Sequence, residues 1–234
     1  MEYREYIKII GSNAIKPVCI LYGDEKYVKD SVIQRLKKAY VDPTLLEFDM
    51  NVFDSQAATY DNILPAVDSP AMASERRLVL ISIKPENPLL KDERFAELCS
   101  RLANDVLVVI NIDGKPDRRL TVYKKIESVA DSVSFEQLER SDVIKWVQQK
   151  FKENGKKISQ ADIEYLISLS GEDLFLLRSE IGKLTDFTEE SVVTRADIDA
   201  MVAHTPEHGV FSLVDAVAAK KTSDAVKQCK LLMD

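Results

Sequence analysis

Glycine is scarce, with seven residues in 234. A chain this poor in glycine builds few active-site loops from it. Histidine is scarcer still. His204 and His208 stand four apart with no Cys or Glu cluster beside them, so they read as a surface segment and no metal is expected. The three cysteines, Cys19, Cys99 and Cys229, are odd in number, far apart and set in apolar patterns. Buried thiols in a reducing cytoplasm fit them better than disulfides or metal ligands. No apolar run approaches the ~20 residues of a membrane span. Met-Glu-Tyr-Arg-Glu-Tyr at the start has no signal-peptide core, so a cytoplasmic protein without a membrane partner is expected. The net charge of −7 lacks the basic surface that strong independent nucleic-acid binding needs. It leaves room for a local basic patch, or for DNA contact inside a larger assembly. With 45% hydrophobic and 30% charged residues, the chain belongs with folded globular proteins and is long enough for more than one domain.

What is present is organised around Val18–Ser31. Val18-Cys19-Ile20-Leu21-Tyr22 is a continuous apolar run, the pattern of a strand buried on both faces. Gly23 permits a sharp turn, and Asp24 is placed to cap the following helix. Tyr27, Val28, Val32, Ile33 and Leu36 give that helix one apolar face. A buried strand entering a helix through a short glycine turn is where phosphate loops sit. Such a loop requires G-x-x-x-x-G-K-[ST]; here Asp24 and Glu25 follow a single glycine and would repel phosphate. The nucleotide site reads as erased, and no cofactor and no catalytic residue is expected. Asp24 and Glu25 have no nucleophile, histidine or metal ligand near them in sequence, so capping explains them better than acid–base chemistry.

Before this stretch, Tyr3, Tyr6, Ile7 and Ile10 form a short amphipathic helix. After it, strands are expected at Leu45–Met50, Arg77–Ile83, Asp105–Ile112 and Ser132–Phe135. Helices are expected at Thr59–Val67, Glu93–Leu102 and Leu120–Val129. Apolar strands alternating with helices predict an α/β domain over residues 1–138: five parallel strands with helices on both faces. From Glu139 no further strand is expected. Val143, Trp146, Val147 and Phe151 make a helical stripe, with Trp146 read as core. Further helices follow around Ile163–Ile167, Leu174–Leu184 and after Thr194, a small helical domain over 139–204. Lys156-Lys157 beside Gly155 reads as a turn. Residues 205–234 hold the start of further helices, and two helices bury too little to stand alone. A third, helical domain that continues past Asp234 is therefore expected.

An α/β domain with a phosphate-loop position and a helical lid resembles the AAA+ ATPase module. The third strand, which would end in the magnesium-holding acids, ends instead in Ile83-Lys84-Pro85. A more specific set of motifs runs in order along the chain. It comprises Leu21-Tyr22-Gly23-Asp24-Glu25 with Val28, Asn51-Val52-Phe53-Asp54 and Ser69–Val79. It continues through Asp117–Lys124, Glu180–Leu184 and Val210–Ala216. Together they resemble the delta-subunit family of bacterial DNA polymerase III. The resemblance implies a clamp-loader subunit of a DNA-directed DNA polymerase holoenzyme. Such a subunit binds the sliding clamp and opens its ring without hydrolysing ATP. It further implies a degenerate AAA+-like domain, a lid, and a collar that assembles with other loader subunits on primed DNA. The family's clamp contact is an exposed apolar pair just before Ser-Glu-Arg-Arg, here Ala71 and Met72, expected on a helix braced by the third strand. Ala71 is smaller than the family's usual residue, so Pro70 and Leu64 are candidates to share the contact. From spacing alone, packing of Met72 under the third strand is the favoured reading, and it is the resemblance that shifts the choice to the clamp contact. Lys115, Arg118 and Arg119 are candidates for touching DNA or a neighbouring subunit, or a solvated face. The competing functions are a nucleotide-dependent enzyme on a P-loop or Rossmann-like scaffold and a stand-alone nucleic-acid binder.

Overall fold

Strands β1 (Val18–Gly23), β3 (Arg77–Ile83) and β4 (Val106–Asp113) are the three longest apolar runs, and nearly every residue in them is buried. Strands β2 (Met50–Phe53) and β5 (Asp131–Ser134) complete a five-stranded, wholly parallel sheet in the order β2-β3-β4-β1-β5. The computed structural model describes residues 1–202 except Asn13, Ala73 and Glu75, and beyond them Val217, Thr222 and Cys229. The chain divides into two compact units, Met1–Gln137 and Leu138–Asp234. Apart from Val217, Thr222 and Cys229, the collar expected from residue 205 lies outside the described residues, as do the two histidines.

Alternation along the central strands sends side chains to two covered faces. Val18, Ile20, Val79, Ile81, Ile83, Val108, Ile110 and Ile112 share one core. That core takes in Ile63 and Val67 of α4 (Tyr60–Asp68), Phe95 and Leu98 of α5 (Glu93–Ser100), and Val122, Tyr123 and Ile126 of α6 (Thr121–Val129). The intervening residues, such as Cys19, Leu21, Leu78 and Leu107, are equally buried. Helix α2 (Lys26–Tyr40) packs against β1 and β3, and it buries Val28, Val32, Ile33, Leu36 and Tyr40. Fully burying one such apolar side chain contributes roughly 1.5–3 kcal/mol, against ~1–2 kcal/mol per residue for fixing the backbone. Strands buried on both faces therefore stabilise the sheet, while the half-exposed edge strand β2 depends on its neighbour.

The helix α2 is capped by Glu25, whose carboxylate accepts from Tyr27 N–H at 3.2 Å, and Asp24 is exposed. Leu45–Met50 is not a strand: α3 (Leu46–Asp49) is a single helical turn, and the strand starts at Met50. The turn points Asp49 inward and leaves Leu46 and Phe48 outward, so the apolar run there has no second sheet neighbour to bury it. In the second unit, β6 (Lys157–Ile158) and β7 (Val192–Val193) pair in parallel. Two-residue strands are too short to leave a periodic signal, and Lys157 begins a strand where a turn was expected. Trp146 is only partly buried, with Lys150 5.8 Å above its ring.

The helical unit follows its apolar stripes. Val143, Val147 and Phe151 of α7 (Arg140–Glu153) are buried, as are Ile163, Leu166 and Ile167 of α8 (Gln160–Ser170). So are Leu174, Leu177, Ile181 and Leu184 of α9 (Leu174–Phe187), and Ile198 of α10 (Arg195–Met201). Ser159 caps α8, and Thr194 with Asp197 forms a capping box on α10, each satisfying otherwise orphaned amides.

Candidate functional site

The turn between β1 and α2 has its polar groups committed internally. Gly23 has φ 122°, and a Cβ there would stand 2.2 Å from the Phe135 carbonyl oxygen. Only glycine lets the backbones approach this closely. Gly23 N–H donates to Gly114 C=O at 2.9 Å, Glu25 N–H to Phe135 C=O at 3.2 Å, and Phe135 N–H to Tyr22 C=O at 2.8 Å. A phosphate loop holds its ligand with free amides of this kind. The sequence reading missed Lys29, six residues after Gly23, the spacing of the lysine in a phosphate loop. Val28 stands where that motif has its second glycine and Asp30 where it has a hydroxyl. The Lys29 ammonium is buried and donates to Gly23 C=O at 2.7 Å and Ile112 C=O at 2.8 Å, joining the ends of β1 and β4. Burial lowers its pKa, with Asp113 partly opposing the shift.

The segment before β3 has the opposite character. Ala71 and Met72 lie in a loop, not on a helix, because α4 ends at Asp68 and β3 begins at Arg77. Met72 is 72% exposed and does not pack under the strand. Its backbone is nevertheless held. Asp49, fully buried, accepts Met72 N–H at 2.7 Å on one carboxylate oxygen and Ser74 N–H at 2.9 Å on the other. Ser74 Oγ accepts Asp42 N–H at 3.1 Å. Arg77 donates to Phe48 C=O at 3.0 Å, Pro70 C=O at 3.4 Å and Asn51 Oδ1 at 2.8 Å. Arg76 is buried, with its guanidinium 4.9 Å from the Tyr40 ring centroid. Pro70 is exposed, Ala71 is partly exposed, and Leu64 is partly buried and packs against the core. Leu46 and Phe48 of α3, and Val52 of the edge strand β2, are further exposed apolar side chains. Nothing in the spacing marked Asp49 or Arg77 as holding the loop.

The basic loop after β4 is less open than its sequence suggests. Arg119 is bound to Asp117 through Nε at 2.9 Å, Nη2 at 3.0 Å and its own backbone N–H at 3.0 Å. These bonds push the Asp117 carboxyl down to about 2. Arg118 lies 4.9 Å from the Tyr22 ring centroid, donates to its hydroxyl and pairs with Glu127. Lys115 is exposed. Two of the three candidates are thus tied to neighbouring side chains of the same unit. Burial pushes the Cys19 and Cys99 thiols up to about 12, while Cys229 is exposed, against the apolar pattern. Among the described residues, no three His, Cys, Asp or Glu side chains come together as a metal site. No helix among them is long and apolar enough to cross a membrane.

The family model described as DNA polymerase III, delta subunit, matches residues 19–136, from β1 to just past β5. DNA polymerase III subunit delta of Bacillus subtilis (strain 168) is 24% identical over 234 residues, covering 94% of this chain and 66% of the relative. The probable DNA polymerase III subunit delta of Aquifex aeolicus is 23% identical over 220 residues, covering 90% and 62%. The chain thus spans slightly under two-thirds of the length of these relatives. Among solved structures, the Bacillus subtilis DNA clamp loader delta protein superposes with TM-score 0.71 at 21% identity, over 99% of this chain and 71% of that one. The Thermotoga maritima RuvB Holliday junction branch migration motor superposes with TM-score 0.52 at 9% identity, over 85% and 67%. These likenesses give the fold, an AAA+-like α/β sheet.

Proposed function

From a chain that belongs to the DNA polymerase III delta-subunit family, we propose a clamp-loader subunit that grips a sliding clamp through the Met72 loop and opens its ring without hydrolysing ATP. The carrying observation is a methionine 72% exposed on a backbone tied down by a buried carboxylate. An apolar side chain presented on an ordered loop loses little freedom on entering a pocket, which is how a few residues come to dominate an interface. Methionine is flexible enough to fill such a pocket. Ala71 and exposed Pro70 flank it. Opening a closed ring requires only that the subunit hold the open or strained interface better than the closed one, and the parallel sheet behind β3 supplies a rigid support. ATP chemistry is assigned elsewhere in the assembly. The amides of Gly23 and Glu25 are taken up by backbone carbonyls, Lys29 is folded inward, and β3 carries no acid after Ile83.

The other loader subunits are assigned to the stretch from residue 205. Primed DNA or a neighbouring subunit is assigned to Lys115 and the outer edges of Arg118 and Arg119, all acting in the cytoplasm. No observation favours the nucleotide-dependent enzyme. The test is a calorimetric titration of the chain with a bacterial sliding clamp, repeated with Met72→Asp. Binding in the first and loss in the second is expected. Clamp binding unaffected by Met72→Asp removes the assignment. A parallel ATP titration should give no heat, and micromolar affinity there would overturn the erased-site reading.

A further inference from the structure

We propose that Asp49 is the positioning residue of the clamp contact: its buried carboxylate sets the loop so that Met72 is presented outward. The inference rests on the reading of Met72 as the clamp-binding side chain. Burying a carboxylate is costly unless its oxygens find strong donors. Here each oxygen takes a loop amide, Met72 N–H at 2.7 Å and Ser74 N–H at 2.9 Å. Charge-assisted bonds of this length are stronger than neutral ones. The loop does not require them for solvation, since water could satisfy the amides of an exposed segment. What the carboxylate adds is geometry: the Met72 and Ser74 amides are both held on one rigid group.

The sheet register decides where that group stands. Met50 pairs with Leu78 in the parallel ladder, so the preceding residue, Asp49, lies level with Arg77 at the far end of the loop. Asp49 itself closes a helical turn, its N–H donating to Leu45 C=O at 2.9 Å. Arg77 latches Phe48 and Pro70 from the other side. The loop is therefore held at its entry, its apex and its exit, while the side chain at the apex is left in solvent. A contact ordered before binding avoids the cost of ordering it on binding.

The test is a double-mutant cycle on clamp affinity with Asp49→Asn and Met72→Ala, alongside Met72→Asp. Asparagine keeps the shape and one acceptor but turns an N–H toward the second amide. Asp49→Asn is expected to weaken clamp binding about tenfold, the equivalent of ~1.4 kcal/mol. In the Met72→Ala background the same substitution should change affinity less than about twofold, because both act through one contact. Equal losses in both backgrounds would mean a general structural role and overturn the proposal. An unchanged affinity for Asp49→Asn with binding lost in Met72→Asp removes the positioning role and leaves the clamp reading standing. Normal binding by Met72→Asp removes both. If Asp49→Asn does not fold, amide exchange in the unsubstituted chain decides. Protection of the Met72 and Ser74 amides by about tenfold or more over the free peptide rate supports the anchor, and exchange at the peptide rate overturns it.

Discussion

Two loops at opposite ends of the same sheet use one physical device with opposite results. At the carboxyl end of β1, a buried cation, Lys29, donates to two backbone carbonyls. At the amino end of β3, a buried anion, Asp49, accepts from two backbone amides. In the first, the polar groups of the turn face one another and the position where nucleotides bind in related architectures is closed. In the second, the polar groups are also satisfied internally, and an apolar side chain is left outside. A buried charge fixes backbone in either case. The two loops differ in what the fixed backbone leaves exposed, which is Asp24 and Lys26 in the first and Met72 in the second.

Met72→Asp is expected to have the largest effect. An unpaired carboxylate forced into an apolar pocket costs ~3–5 kcal/mol, so clamp binding should fall by about two orders of magnitude or more, while the melting temperature holds because the position is exposed. Unfolding instead would place Met72 in the core. Gly23→Ala comes next. A Cβ 2.2 Å from a backbone oxygen at φ 122° combines overpacking with strain, an expected loss of ~3 kcal/mol in chemical denaturation. A stable variant would mean that β5 can move away from the turn.

Lys29→Met strands the Gly23 and Ile112 carbonyls and should cost ~1–3 kcal/mol, with clamp affinity unchanged once folded. The native lysine also carries a pH signature. Its folded pKa is lowered from 10.5, so between the two values the unfolded chain binds more protons, and stability contributed at this site rises with pH. The slope should vanish in Lys29→Met, and its persistence would assign it to another group. Met72→Ala is milder than the aspartate and should cost ~1–3 kcal/mol of clamp affinity with no change in stability. Asp117 gives the smallest effect. Its carboxyl should titrate near about 2 by NMR, with its contribution in place above the usual carboxylate value of 3.8 and lost as the pH falls toward 2. Titration at an ordinary value would mean that Arg119 is free to engage a partner.

The apolar runs of the sequence alone specify β1, β3 and β4, the helical stripes and the missing phosphate-loop pattern. Long runs such as Val106–Ile112 can be satisfied only between two covered faces, and a missing Gly-Lys-Ser pattern needs no coordinates to be seen. Tertiary structure decided the rest. Leu45–Met50 carries a strand's composition but turns helical, because it borders the sheet edge and Asp49 must reach loop amides more than twenty residues away. Lys29 reads as a solvated helix lysine until two strand ends present their carbonyls to it. Met72 fits a core position better than an exposed one by spacing, yet it stands in solvent with its backbone N–H bound to Asp49. Periodicity records which side chains avoid water. The partners of buried charges come from distant segments, so the residues that shape both loops carried no local signal.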